Sequence, residues 1–200
     1  LSAKKEYVYS DLPYYFMKTY LEKKNNSNLD YQLKKKFLTT IGANNTSYNA
    51  SSAFKKNRIV PSEIDNYFRH KTLVGFVHDM GAAMQGGIGG HAGLFSNSND
   101  VAKIMQMYLQ RGLYGGLTYI DGITLDYFNT CYFCDQNNRR GIGFDKPQID
   151  DSESTCGCVP NSSFGHSGFT GTYAWADPEN HIVYVFLSNR TYPTMDNNLL

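Results

Sequence analysis

The stretch Phe164-Gly165-His166-Ser167-Gly168-Phe169-Thr170-Gly171-Thr172 sets glycines and small residues around one titratable ring. It runs on through Tyr173-Ala174-Trp175 to a second apolar run, Ile182-Val183-Tyr184-Val185-Phe186-Leu187, with Asp177-Pro178-Glu179-Asn180 as a turn between them. This pattern predicts antiparallel strands. A glycine inside a strand leaves room for another backbone or a ligand to come close. His166, set between two such glycines and followed by hydroxyls, therefore reads as a strand edge facing a site. A core histidine in a glycine-rich hairpin is the competing reading, and the motif alone does not separate them.

Working outward, Gly141-Ile142-Gly143-Phe144 reads as a further strand. A helix is expected from about Asn99, with Val101, Ile104, Met105 and Tyr108 on one face, Ser96 or Ser98 as its cap and Gly112 as its stop. Before it lies a glycine-rich run from Gly86 to Ser96, and from Arg58 to Asp79 a long connection with little periodicity. Gly42 to Ser52, rich in Asn, Ser and Ala, reads as a loop, and Tyr31 to Leu38 as a second helix. The first helix opens at Tyr9-Ser10-Asp11-Leu12-Pro13, where Ser10 can cap and Pro13 is tolerated in the first turn. Helices first and antiparallel strands last argue for an α+β domain.

An apolar share of 41% and an aromatic share of 14% over 200 residues support a real core in one domain or a large piece of one. The net charge of +1 leaves no electrostatic footprint for nucleic acid. No apolar run approaches the ~18 residues of a membrane span. Leu1-Ser2-Ala3-Lys4-Lys5 is neither a signal peptide nor a natural start, and residues 1–6 are expected to fray. The sequence thus reads as part of a longer protein. The four cysteines stand as Cys131-x-x-Cys134 and Cys156-x-Cys158. Disulfides between the two pairs are the first reading, free thiols the second and a four-thiolate zinc site the third.

Two motif matches fail on context. Gly87-Ile88-Gly89-Gly90-His91-Ala92 has the letters of a dinucleotide fingerprint, but lacks the leading buried strand, the immediate helix and the later acid. Ser2-Ala3-Lys4-Lys5 has the letters S-x-x-K, yet sits in a charged terminus rather than at the start of a buried helix. Neither a cofactor nor a metal is called for. A phenol at Tyr9 and an imidazole at His166 could share the proton work of acyl transfer if a serine stood beside them.

In that order, Tyr9-Ser10-Asp11 and His166-Ser167-Gly168 resemble the second and third signatures of the serine β-lactamase and penicillin-binding protein superfamily. The nearer likeness is to its class C β-lactamase-related esterases and peptidases. Val77-His78-Asp79, Gly89-Gly90-His91-Ala92-Gly93-Leu94-Phe95-Ser96, Gly141-Ile142-Gly143-Phe144-Asp145, Gly168-Phe169-Thr170-Gly171-Thr172 and Phe186-Leu187-Ser188-Asn189-Arg190 share in it. The resemblance implies a β-lactamase/transpeptidase-like fold, an antiparallel sheet with flanking helices, incomplete at both ends, in a single partial domain over residues 1–200. It implies Tyr9 as proton relay and His166 as the cationic or hydrogen-bonding group toward the substrate carboxylate or leaving group. It also places Ser167 and Gly168 along the acyl pocket and makes the Phe169 N–H an oxyanion donor. Asp11 stands where the family carries Asn as a substrate-amide contact. The family's S-x-x-K nucleophile segment is expected upstream, in the rest of the polypeptide.

The expected reaction is acyl-enzyme chemistry on an ester, a D-amino-acid peptide or a β-lactam, in the periplasm or cell envelope, with this stretch inactive alone. The partners are then a small-molecule or cell-wall peptide or glycan substrate, and a second copy of the chain through open sheet edges. The rival reading is a non-catalytic glycan- or muropeptide-binding domain attached to a glycoside hydrolase, which Asp11 in place of Asn favours.

Overall fold

A computed structural model describes residues 7–136, 138–147 and 159–197. The chain divides into two compact units, one formed by Leu1–Thr40, Asn44–Asn97 and Ser188–Leu200, the other by Ile41–Ala43 and Ser98–Leu187. The S-x-x-K letters of Ser2 and Lys5, the expected fraying of residues 1–6, and Cys156 and Cys158 lie outside the described residues.

In the first unit, helix α1 spans Leu12–Asn25, and the Leu12 amide donates to the Ser10 hydroxyl at 3.2 Å. Asp11 holds the cap position, with its carbonyl accepting from the amides of Tyr14 and Tyr15. Lys23 and Lys24 complement the negative end of the helix dipole, and Asn26, at φ 45°, closes it in a left-handed turn. Helix α2 (Leu29–Leu33) follows, and the buried Gln32 staples this turn. Its amide nitrogen donates to the Ser27 carbonyl at 2.6 Å and its oxygen accepts from Asn25 at 2.8 Å. Where one helix from Tyr31 to Leu38 was expected, the chain continues as a π-helical turn, Lys34–Leu38, and helix α3, Thr39–Ile41.

The expected loop holds strand β1 (Ser47–Tyr48) and helix α4 (Ala50–Ala53). The region read as an irregular connection folds into an antiparallel hairpin, β2 (Pro61–Asp65) with β3 (Lys71–Val74). Helix α5 (Met80–Met84) and strand β4 (Leu94–Phe95), which pairs with β1, complete the unit.

Buried charge organises that hairpin. Asp65 is fully buried; one carboxylate oxygen accepts from the amides of Tyr67 and Phe68, the other from the Arg69 amide and from its guanidinium at 2.7 Å. Burial alone would raise the Asp65 pKa, but the Arg69 guanidinium and these amides outweigh it and hold the carboxyl well below the ordinary range. Arg69 also donates to the carbonyls of Val77 and His78. Glu63 accepts from the Tyr67 hydroxyl at 2.8 Å and lies 3.1 Å from His78 Nε2. Residues from Asn189 to Met195 bind along β2: Asn189 and Thr191 side chains donate to the carbonyls of Pro61 and Ser62, and the Ile64 amide to that of Pro193.

In the second unit, helix α6 spans Ser98–Leu109, one residue earlier than expected. Gly112 stops it at φ +91°, its amide reaching back to Met107, and a Cβ there would lie 1.8 Å from the Ile120 carbonyl oxygen. The small hairpin β5 (Leu113–Tyr114) and β6 (Leu117–Thr118) leads to helix α7 (Gly122–Asn129), capped by the Asp121 carboxylate on the amides of Ile123 and Thr124. Strands β7 (Phe164–Gly168), β8 (Thr172–Asp177) and β9 (Ile182–Leu187) form the predicted antiparallel sheet in the order β7-β8-β9. Met105 of α6, Phe164 and Ala176 form its buried core, with Val101, Tyr108, Phe144 and Val183 against them.

Two expectations are corrected here. Residues 141–144 form no strand, with bends at 142–144, because only Asp145 reaches the ladder, exchanging both backbone hydrogen bonds with Gly165 at 2.8 and 3.1 Å. The first cysteine pair closes on itself as a Cys131–Cys134 disulfide, so these two thiols bridge neither to the second pair nor to a four-thiolate zinc. Among the described residues no helix is long and apolar enough to cross a membrane.

Candidate active site

Tyr9 and Asp11 lie in the first unit, and His166, Ser167, Gly168 and Phe169 in the second; each group stands in its own setting. Tyr9 is 60% exposed just before α1. Asp11, Asp79 and His91 bring their ligand atoms within 4.8 Å of one another, a set that could hold a metal ion. Hydrogen bonds already account for much of it. Asp79 caps α5 by accepting from the Ala82 amide at 2.6 Å, and the same oxygen lies 2.8 Å from His91 Nε2. Burial would raise the Asp79 pKa, but the Ala82 amide and His91 outweigh it and bring it below its ordinary value. His91, its side chain 5% exposed, therefore donates from Nε2 to a carboxylate, while its buried Nδ1 has no hydrogen-bond partner among the described residues.

Tyr15 lies against the His91 ring, with centroids 4.7 Å apart. Burial, then the carboxylates of Asp79 and Asp11, push its phenol above the ordinary value. Glycines make this approach possible. A Cβ on Gly81 would lie 1.9 Å from the Tyr15 hydroxyl oxygen, and one on Gly90 2.5 Å from the Tyr14 carbonyl oxygen. The glycine run thus docks the start of α1, and no helical or strand spacing joins Asp11, Asp79 and His91 in the sequence.

In the second unit, His166 is the middle residue of β7, opposite Ala174 of β8. The glycine before it packs beneath an indole: a Cβ at Gly165 would lie 2.2 Å from Trp175 Cε3 and 2.3 Å from the Ala174 carbonyl oxygen. Gly165 therefore admits protein atoms rather than a ligand. His166 Nδ1 is 2.5 Å from the Ser167 carbonyl oxygen, and Nε2 is 3.2 Å from Arg140 Nη1. A guanidinium can only donate. Nε2 thus accepts and Nδ1–H donates, which assigns the Nδ1 tautomer.

Arg140 in turn lies 2.9 Å from Asp145 Oδ1, and Arg139 3.2 Å from Oδ2. Neither arginine was singled out in the sequence; their link to His166 runs through a bend and a single bridge, which leaves no periodic signal. Ser167, Gly168 and the 60% exposed Phe169 continue to the solvent end of the strand. Beside this group Lys146 is buried, donating to the Ser162 carbonyl at 3.0 Å, and burial brings its pKa down to about 8.

Comparison with known proteins places this geometry. The Beta-lactamase family profile matches residues 2–200. A protein of Escherichia coli K12 named "Putative D-alanyl-D-alanine carboxypeptidase" is 30% identical over 200 residues, covering 94% of this chain and 46% of its own length. One of the same name from Salmonella enteritidis PT4 is 30% identical over 205 residues, covering 96% of this chain and 47% of its own. The chain therefore spans about half the length of these curated relatives. Among solved structures, an octameric penicillin-binding protein homologue from Pyrococcus abyssi aligns with TM-score 0.66 at 20% identity, over 94% of this chain and 40% of that one. A β-lactamase from Mycobacterium bovis aligns with TM-score 0.64 at 15% identity, over 96% and 60%. The fold is thus that of β-lactamases and penicillin-binding proteins, present in part, and the chain belongs to the Beta-lactamase family.

Proposed function

We propose that the chain is the proton-relay and pocket part of a serine hydrolase that works through an acyl-enzyme on peptides ending in D-alanine. The observation that carries this reading is the end of β7, where His166 is fixed in one tautomer two residues ahead of Gly168 and Phe169 follows at the exposed tip. Family membership supports the acyl-transfer chemistry, and the relatives' printed names support the substrate class. In this reading residues 1–200 belong to one catalytic domain, and a serine elsewhere in the polypeptide attacks the peptide carbonyl. Tyr9 relays its proton to the leaving amine, and the Phe169 N–H donates to the oxyanion. Ser167 and Gly168 line the acyl pocket, and Asp11 faces the substrate amide. Such a substrate belongs to the cell envelope, and the proposal puts the protein there, in the periplasm. Strand β9 pairs only with β8 among the described residues, so the proposal includes a second copy at that edge.

Intact-protein mass after incubation with an acylating β-lactam tests the reading. It is run on this chain and on a polypeptide extended upstream by about 150 residues, a typical domain length. An adduct of one equivalent on the longer polypeptide alone is expected. No adduct on either, with no cleavage of an acyl-D-alanyl-D-alanine peptide, would sink it. Sedimentation of the chain as a clean monomer would remove the second copy.

A further inference from the structure

We infer that the Cys131–Cys134 disulfide is a reversible redox site, opened by a dithiol, and that its opening is felt at His166. Every residue involved lies in the second unit, and the hydrolase reading is not needed.

The bridge does little for the fold. Its ends are three positions apart, and the chain entropy that a cross-link removes grows with the loop it closes, so a ring this small contributes least. It ties no distant elements together either. Cys131 follows the end of α7 by two positions, and Cys134 opens a one-turn 3-10 helix, Cys134–Gln136. The bridge is also within reach of a reagent. Both cysteines are half-buried, and the two residues between them, Tyr132 and Phe133, are 42% and 50% exposed. Accessible disulfides are the labile ones, whereas structural ones resist reduction.

The chemistry balances with a dithiol as reductant. One of its thiolates attacks a bridge sulfur, the S–S bond breaks, and the electron pair leaves on the other cysteine, which takes up a proton. The second thiolate then displaces the first cysteine from the mixed disulfide. Two electrons have passed: the dithiol ends as a disulfide, and Cys131 and Cys134 as thiols.

A short path joins the bridge to the candidate site. Cys131 Sγ lies 3.2 Å from the Asn138 carbonyl oxygen. The Asn138 amide donates to the Phe133 carbonyl at 3.1 Å, and its side-chain oxygen accepts from the Arg140 amide at 3.2 Å. Asn138 thus connects the disulfide ring to Arg140, whose Nη1 is 3.2 Å from His166 Nε2. In the bridge, Cys131 Sγ is a fixed atom without a hydrogen. Reduced, it is a rotatable S–H that can donate. The setting of Asn138 therefore changes with redox state, and Arg140 and His166 follow it.

The test treats the folded, full-length protein with dithiothreitol and then alkylates it. Arg139 and Arg140 put the two cysteine pairs on different tryptic peptides, so mass locates the opened bridge. Alkylation of Cys131 and Cys134 should proceed within roughly tenfold of its rate in denaturant. Slowing beyond that would overturn the inference, since waiting for global unfolding holds a bridge back by about 10³-fold or more. The His166 ring signals in NMR should shift on reduction and return on reoxidation, with circular dichroism unchanged. A bridge that opens while His166 stays still would overturn the inference too. Cys131→Ser/Cys134→Ser should show the reduced-state signals throughout; shifts that still appear on reducing this variant would belong to Cys156 and Cys158 and count against it. Should the variant not fold, partial reduction of the wild-type protein decides. The shift must track alkylation of the peptide carrying Cys131 and Cys134, and tracking the other peptide would sink the proposal.

Discussion

The β2–β3 hairpin turns the acids Glu63 and Asp65 into its interior, whereas the β7–β8 pair buries Phe164, Trp175 and Ala176. The first is held by directed bonds: Asp65 to Arg69 and three amides, Glu63 to the Tyr67 hydroxyl and the Met195 amide. The second is held by contact, with Phe144 against Phe164 at 5.1 Å between centroids and Tyr108 edge-on to Phe144 at 5.0 Å. Two hairpins of similar length thus depend on different physics. A buried charge fails abruptly when its partner goes, because the orphan stays buried. An apolar contact fails in proportion to the volume removed.

The largest effect should come from breaking the charged hairpin. Asp65→Ala takes the counter-charge from the Arg69 guanidinium and strands three amides, and should destabilise β2–β3 by about 3–5 kcal/mol. Hydrogen exchange of the Glu63 and Leu73 amides would report it; unchanged protection would mean that the network is ornamental. The acid response sharpens the same point. The folded Asp65 pKa is depressed, so its contribution is present above the unfolded value of about 3.9 and is lost as pH falls through the folded value. Asp65→Asn should therefore be less stable at neutral pH, and its stability should depend less steeply on acid.

In the apolar hairpin, overpacking is the sharper probe. Gly165→Ala drives a methyl into the Trp175 ring and the Ala174 carbonyl, and should cost roughly 1–3 kcal/mol, read from chemical denaturation. A neutral result would mean that β7 can move away from β8 without loss. The smallest effect lies outside both hairpins. Asp121→Ala removes the α7 cap and should cost about 1 kcal/mol, measurable as a modest fall in Tm.

The same contrast explains what could be read in the sequence. Strands β8 and β9 were legible because apolar residues run unbroken to a turn signal, and α6 because Val101, Met105 and Tyr108 recur at helical spacing. The β2–β3 hairpin was not, since its inward positions are Glu63 and Asp65, which carry no hydrophobic period; Leu73 is the one large apolar side chain fully buried there. Helix α2 was expected to continue unbroken, but a π-helical turn at Lys34–Leu38 changes the phase, and nothing in Lys34-Lys35-Lys36 announces it. At the candidate site the motif residues were legible and their partners were not. His166 was found from its neighbours in the chain, whereas Arg140 and Asp145 meet it only after the chain turns at residues 141–144.

Trp175 gives this arrangement a use in spectroscopy. It is the sole tryptophan of the sequence, 6% exposed, with an indole N–H that has no hydrogen-bond partner among the described residues. Its ring stacks on Tyr173 at 5.7 Å with planes 6° apart, and it lies opposite Gly165, the neighbour of His166. Emission excited selectively from tryptophan therefore originates at one known place, in apolar surroundings that shift it to the blue. Tyr173 is close enough to pass its excitation to the same ring. Any rearrangement of β7 against β8 would alter colour and yield together, so the protein carries its own optical reporter one residue from the histidine.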